Sequence, residues 1–228
     1  MSNSRNAPYD SAALPQDSVN LRTIRLAAVT SLVFGLAFGS GLALAKRKPK
    51  GLIEQIEQAV AEQHSYQVPA AGTVEVAFSP DEGSETLVLK VIASAHREIR
   101  MLSYSFTSPP VARALLAAKK RGVDIRIVAD QKNNTSEDRS GKARAALSLL
   151  AEAGADVRLI GVYAIHHDKV LIVDGETVEL GSFNYSDAAA HRNSENVLVN
   201  WKNPQLAKVY LEHFARNYRQ ATPFQQQY

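Results

Sequence analysis

From Thr73 onward, the apolar residues fall into two alternating rhythms. Val74 to Phe78 repeats at period two, the mark of a strand with one buried face. Ser84 to Ala95 places Leu87, Val88, Val91 and Ile92 at helical spacing. Ile99 to Phe106 predicts the next strand, and Ser108-Pro109-Pro110 supplies a cap and first-turn proline for a helix to about Lys120, ended by Arg121-Gly122. Val123 to Ala129 reads as a strand, Ala143 to Ala153 as a helix closed by Gly154, and Val157 to Ile160 as a short strand. Val162 to Val173 and Thr177 to Leu180 predict a hairpin turned by Asp174-Gly175. Asn196 to Asn200 follows as a strand and Pro204 to Tyr218 as a final helix.

Such alternation predicts an α/β sandwich, a central mixed sheet flanked by helices, because parallel crossovers need helices of this length. The hairpin makes part of the sheet antiparallel. Residues 73–220 are the expected catalytic domain, with a tail at 221–228. Residues 46–72 read as a connecting helix and linker: Leu52, Ile53, Ile56, Ala59 and Val60 form one apolar side, and Pro69-Ala70-Ala71-Gly72 breaks the chain. No internal repeat is visible.

Ahead of these lies a different pattern. Leu26 to Ala45 runs twenty residues without a charge, after a Ser-, Asn- and Pro-bearing lead at 1–25 that carries Arg22 and Arg25. Twenty apolar residues match a bilayer core of roughly 30 Å. The run ends in Ala43-Leu44-Ala45, an A-x-A pattern that resembles a secretory cleavage site, so the expected location is periplasmic or secreted. The alternative is a membrane anchor at 26–45, since Lys46, Arg47, Lys48 and Lys50 would resist export. Either way the segment is expected to engage a membrane or the export machinery.

Composition narrows the chemistry only a little. With 45% apolar residues, a packed core is available and wholesale disorder is excluded. A net charge of +3 gives a mild bias toward anionic partners, nucleic acid or an anionic lipid surface. The absence of cysteine rules out disulfides and thiolate metal sites.

The candidate chemistry is concentrated between His167 and Asn184, where His167, Lys169, Asp174, Gly181, Ser182 and Asn184 stand in the spacing H-x-K-x4-D-x6-G-S-x-N. On a continuous strand His167 and Lys169 share a face, while His166, Asp168 and Asp174 point the other way. A neutral imidazole can attack phosphorus and divide one difficult displacement into two. Lys169 offers a point charge to a non-bridging oxygen. Gly181 permits close approach of backbone to ligand, and the Ser182 hydroxyl and Asn184 amide can donate to phosphate oxygens. Asp174, by parity, is expected to be a turn or supporting residue. Glu195 could accept a hydrogen bond from the far nitrogen of His167 and fix its tautomer. His166, His167 and Asp168 are potential metal ligands, but neighbours on a strand diverge and Lys169 would repel a cation. The expectation is therefore chemistry without metal or other cofactor. His64, His96, His191 and His213 belong to no constellation and are expected to be structural or surface residues.

These residues resemble the signature of the phospholipase D superfamily, most nearly its small single-motif bacterial endonucleases. The similarity extends from about Thr73 to Tyr218 and includes Tyr104-Ser105-Phe106-Thr107-Ser108 and Lys119-Lys120-Arg121-Gly122-Val123-Asp124. The resemblance implies a phospholipase D-like fold and a metal-independent phosphodiesterase. In that scheme His167 is the nucleophile, Lys169 and Asn184 bind phosphate, Ser182 assists, Glu195 orients the histidine, and Asp174 is structural. It also implies two motifs per site, one histidine attacking and the other protonating the leaving oxygen. This chain carries one motif, so a homodimer is expected.

For substrate, the resemblance favours non-specific cleavage of DNA or RNA. Lys132, Arg139, Lys142 and Arg144, in the loop Gln131 to Arg144, could track a nucleic-acid backbone. Phospholipid is the alternative, and a membrane-tethered nucleic-acid binder without catalysis is the third reading.

Overall fold

The structure is a computed structural model, and it describes residues 65–225. The expected helix at Gly51 to Gln63 and the apolar run 26–45 lie outside the described residues. Ser65–Tyr228 forms one unit. Its strands are β1 (Thr73–Ser79), β2 (Glu98–Ser103), β3 (Asp124–Asp130), β4 (Asp156–Ile160), β5 (Lys169–Val173), β6 (Thr177–Gly181), β7 (Glu195–Trp201) and β8 (Thr222–Pro223). The helices are α1 (Ser84–Ala93), α2 (Pro109–Lys120), α3 (Gln131–Asn134), α4 (Lys142–Glu152), α5 (Asp187–His191) and α6 (Pro204–Gln220).

All eight strands join one sheet in the order β1-β7-β6-β5-β2-β3-β4-β8. Parallel pairing is confined to β2–β3–β4, where α2 and the α3–α4 segment make the crossovers. The neighbouring pairs β2–β5, β5–β6, β6–β7 and β1–β7 are antiparallel, so the sheet is mixed as expected.

Period-two alternation sorts the strand side chains into two cores. Ile99, Met101, Ile125, Ile127, Leu171, Val173, Val197 and Val199 pack beneath α1, α2 and α4. Leu102, Val128, Val170, Ile172 and Val178 face the other way, under Ala207 and Phe214 of α6. The helix starts follow local rules: the Ser108 hydroxyl accepts from the N–H of Val111 ahead of two prolines, and Asn203 accepts from Leu206.

Two expectations are corrected. The strand predicted from Val162 begins only at Lys169. Its partner β2 ends at Ser103, opposite Lys169, and the chain then turns toward α2, so residues 161–168 have no ladder to join. Val162, Tyr163 and Ile165 are exposed there. The stretch Gln131 to Arg144, read as a loop, begins with the one-turn helix α3 and runs into α4. The short elements α5 and β8 carry too little periodicity to be read in advance.

Candidate active site

The site lies where β2 and β3 end, β5 and β7 begin, and β6 finishes. Ligand sites in α/β sheets open at the carboxyl ends of parallel strands, and here β2 and β3 provide that edge. His167, Lys169, Gly181, Ser182, Asn184 and Glu195 line one open cavity of ≈ 600 Å³, together with Leu180 and Asn196. Asp174 is five steps along the chain from Lys169, about 17 Å at strand rise, so it stands at the far end of the sheet.

His167 is exposed, whereas His166 is buried. Among the described residues the His167 imidazole has no hydrogen-bond partner; its ring centroid lies 4.6 Å from that of Tyr104. The segment around it is tied down on both sides. The His166 N–H donates to Asp130 Oδ2 at 2.8 Å, and His213 Nε2 lies 2.9 Å from Asp168 Oδ2. Arg216 donates to the other His213 nitrogen at 2.9 Å, which leaves Nε2 as the nitrogen that donates to Asp168.

Lys169 is buried, and its Nζ donates to the His167 carbonyl at 2.8 Å. Burial pushes its pKa down to about 8, against the pull of the Glu195 and Asp168 carboxylates. The remaining ammonium hydrogens can serve a phosphate oxygen.

Gly181 lines the cavity and also meets a packing demand: a Cβ there would sit 2.2 Å from the Asn196 carbonyl oxygen of β7. The next four residues alternate sharply: Ser182 and Asn184 face the cavity, while Phe183 and Tyr185 are fully buried. The Tyr185 hydroxyl donates to Glu179 Oε2 at 3.0 Å, and its carbonyl accepts from Thr107 and Ser108 N–H, each at 2.8 Å. Burial raises the Glu179 carboxyl to about 8, so it carries its proton at neutral pH.

Two expected contacts differ. Glu195 does not bond His167 among the described residues. Its Oε2 accepts from the Ser182 hydroxyl at 2.6 Å and its Oε1 from Asn193 at 3.0 Å. The reason is topological, since β6 lies between β7 and β5 and Ser182 is the cross-strand neighbour. The Ser182 hydroxyl therefore has its proton on Glu195 and accepts from Asn196 N and Nδ2. Asn184 keeps its side-chain amide without a protein partner among the described residues, available to a phosphate.

Asp174 is a turn residue. With φ 55 at the β5–β6 turn, its carboxylate accepts from the backbone N–H groups of His96, Arg97 and Glu98 at 2.8–2.9 Å. It joins the hairpin to the start of β2 and touches nothing in the cavity. Asp130, Asp168 and His213 were not predicted from sequence. Only the middle position of H-x-K hinted at Asp168, and His213 lies 45 residues away with no local signal. Among the described residues no group of three or more His, Asp or Glu side chains is arranged to hold a metal.

Comparison with known proteins adds a second line of support. The family model described as cardiolipin synthase, PLD-like domain, matches residues 88–218. The chain is 32% identical over 151 residues to a phospholipase D of Rickettsia typhi, which is 65% of this chain and 71% of that protein. It is 28% identical over 142 residues to the mitochondrial cardiolipin hydrolase of Mus musculus, 62% of this chain and 61% of that one. Among solved structures, the phospholipase D family member Nuc from Salmonella typhimurium aligns with a TM-score of 0.65 and 45% identity, covering 68% of this chain and 99% of that one. With the matched region running from α1 to the last turns of α6 and enclosing the whole cavity, the chain belongs to the phospholipase D superfamily of hydrolases, near its Nuc-type members.

Proposed function

We propose that this phosphodiesterase is a non-specific endonuclease that works through a phosphohistidine at His167. The observation that carries the reading is the cavity itself: an exposed imidazole without a hydrogen-bond partner among the described residues, beside a buried lysine and an asparagine amide that is likewise unengaged among them. His167 attacks phosphorus and the P–O bond to the leaving alkoxide breaks. Lys169 and Asn184 hold the non-bridging oxygens, and the Ser182–Glu195 pair braces the cavity wall. Water then attacks phosphorus, the P–N bond breaks, and the imidazole is regenerated.

The leaving oxygen needs a proton donor opposite the nucleophile. Among the described residues the cavity is lined by one histidine, so the donor is His167 of a second copy, and that same imidazole then takes the proton of the attacking water. Exposed apolar residues Val162, Tyr163 and Ile165, just ahead of His167, suit a surface that a second copy covers.

Nucleic acid is favoured by the resemblance to single-motif endonucleases, by the 45% identity spanning 99% of Nuc, and by the exposed Lys132, Arg139 and Lys142. Glu137 and Asp138 dilute that charge, with the Asp138 carboxylate turned to the N–H groups of Ala143 and Arg144 at the start of α4. A phospholipid substrate is the second reading, motivated by the relatives named phospholipase D and cardiolipin hydrolase and by the apolar run 26–45.

Supercoiled plasmid and phosphatidylcholine vesicles, each in excess chelator, test both readings with wild type and His167→Ala. Nicking by wild type, reduced by on the order of 10³-fold or more in the variant, is expected. Choline release without nicking selects the lipid reading, and activity that survives the substitution refutes the mechanism. Full activity per chain in a dilute monomer refutes the shared site.

A further inference from the structure

We propose that Tyr104 is a positioning residue for the reaction: its ring forms a fixed wall that holds the His167 imidazole and the Lys169 ammonium toward the cavity. The ring centroid lies 4.6 Å from that of His167 at a tilt of 54°, and the Lys169 Nζ sits 5.0 Å from the same centroid. One aromatic surface thus meets both groups that the signature spaces two residues apart. The inference rests on His167 being the nucleophile.

The placement of Tyr104 is built into the fold. Tyr104 follows β2 directly, and its carbonyl accepts from Asn134 Nδ2 at 2.6 Å. Asn134 is fully buried, donates also to the Asp130 carbonyl at 2.8 Å, and accepts from the Phe106 N–H at 3.0 Å. Asp130 in turn holds the His166 N–H, so one network anchors the backbone that carries the ring and the histidine-bearing segment together. A wall matters here because, among the described residues, no hydrogen bond sets the rotamer of the imidazole. Glu195, the expected orienting carboxylate, is engaged by Ser182.

The wall has two effects. It removes rotamers in which the imidazole nitrogen turns from phosphorus, and such misplacement costs up to about 10²-fold in rate. Its electron-rich face also stabilises the lysine cation. Lys169 faces the Glu195 and Asp168 carboxylates besides the ring, and its charged form is lost as pH rises through about 8, so turnover falls on that limb.

The test uses the full chain and bis(p-nitrophenyl) phosphate, with Tyr104→Phe, Tyr104→Leu, Tyr104→Met and His167→Ala. Tyr104→Phe keeps the ring and is expected to stay within about twofold of wild type in kcat. Tyr104→Leu is expected to lose about 10- to 100-fold in kcat with KM changed little, and its alkaline limb to move down by about 0.5 pH unit. Tyr104→Met fills similar space and replaces the leucine variant should that one fail to fold.

Wild-type kcat and an unmoved limb in folded leucine or methionine variants, with His167→Ala silent, overturn the role of Tyr104. A phenylalanine variant as slow as the leucine one assigns the effect to the hydroxyl and overturns it equally. Turnover that persists in His167→Ala fails the nucleophile reading instead, so the two failures are separable.

Discussion

Glu179→Gln probes the least expected group in the fold, a carboxyl sealed inside β6, the strand that leads to the cavity-lining Ser182 and Asn184. Glu179 is 0% exposed, its Oε2 accepts from the Tyr185 hydroxyl, and the Leu171 backbone lies against the same carboxyl. Burial raises its pKa from 4.5 to about 8. The folded state therefore holds a proton that the unfolded chain releases near 4.5. Below that pH both states are protonated and the stabilising contribution is complete. As pH rises, the unfolded chain ionises first, and folding loses about 1.4 kcal/mol per pH unit until the folded group ionises as well. Between pH 5 and 8 the loss is about 4 kcal/mol, a large share of the stability of a domain this size. Glutamine is neutral throughout and still accepts from Tyr185. Equilibrium urea denaturation of both proteins at pH 5, 6, 7 and 8, at one protein concentration, reads the difference. Wild type is expected to lose about 4 kcal/mol more than the variant over that range. Parallel pH profiles would refute the protonated carboxyl.

Two further substitutions separate packing from chemistry. Asp174→Ala leaves three backbone N–H groups without their acceptor and is expected to cost about 2–3 kcal/mol in urea denaturation, with kcat per folded molecule unchanged. A loss of kcat without a loss of stability would place Asp174 in the chemistry. Gly181→Ala forces a Cβ to 2.2 Å from the Asn196 carbonyl and is expected to separate β6 from β7, lowering both the thermal midpoint and activity. An unchanged thermal midpoint would show that the strands yield at little cost.

Much of this protein was legible in one dimension. Period-two and helical spacing located β1 through β7 and the four long helices to within a few residues, apart from the start of β5, because each element buries one face and repeats at its own period. The H-x-K and G-S-x-N spacings brought His167, Lys169, Ser182 and Asn184 to one cavity, since both stretches belong to a single hairpin whose register follows from its turn. His166 and His167 differ in burial although they lie ahead of β5, and the length of β5 keeps Asp174 from the cavity.

What the chain could not disclose is whatever depends on strands meeting out of sequence order. That β6 lies between β5 and β7 decides that Glu195 meets Ser182 and not His167. That β2 ends opposite Lys169 decides where β5 starts and brings Tyr104 against the imidazole. His213 reaches Asp168 only because α6 packs across the sheet. Periodicity records which face of an element is buried; which neighbour lies across that face is settled by the folded topology alone.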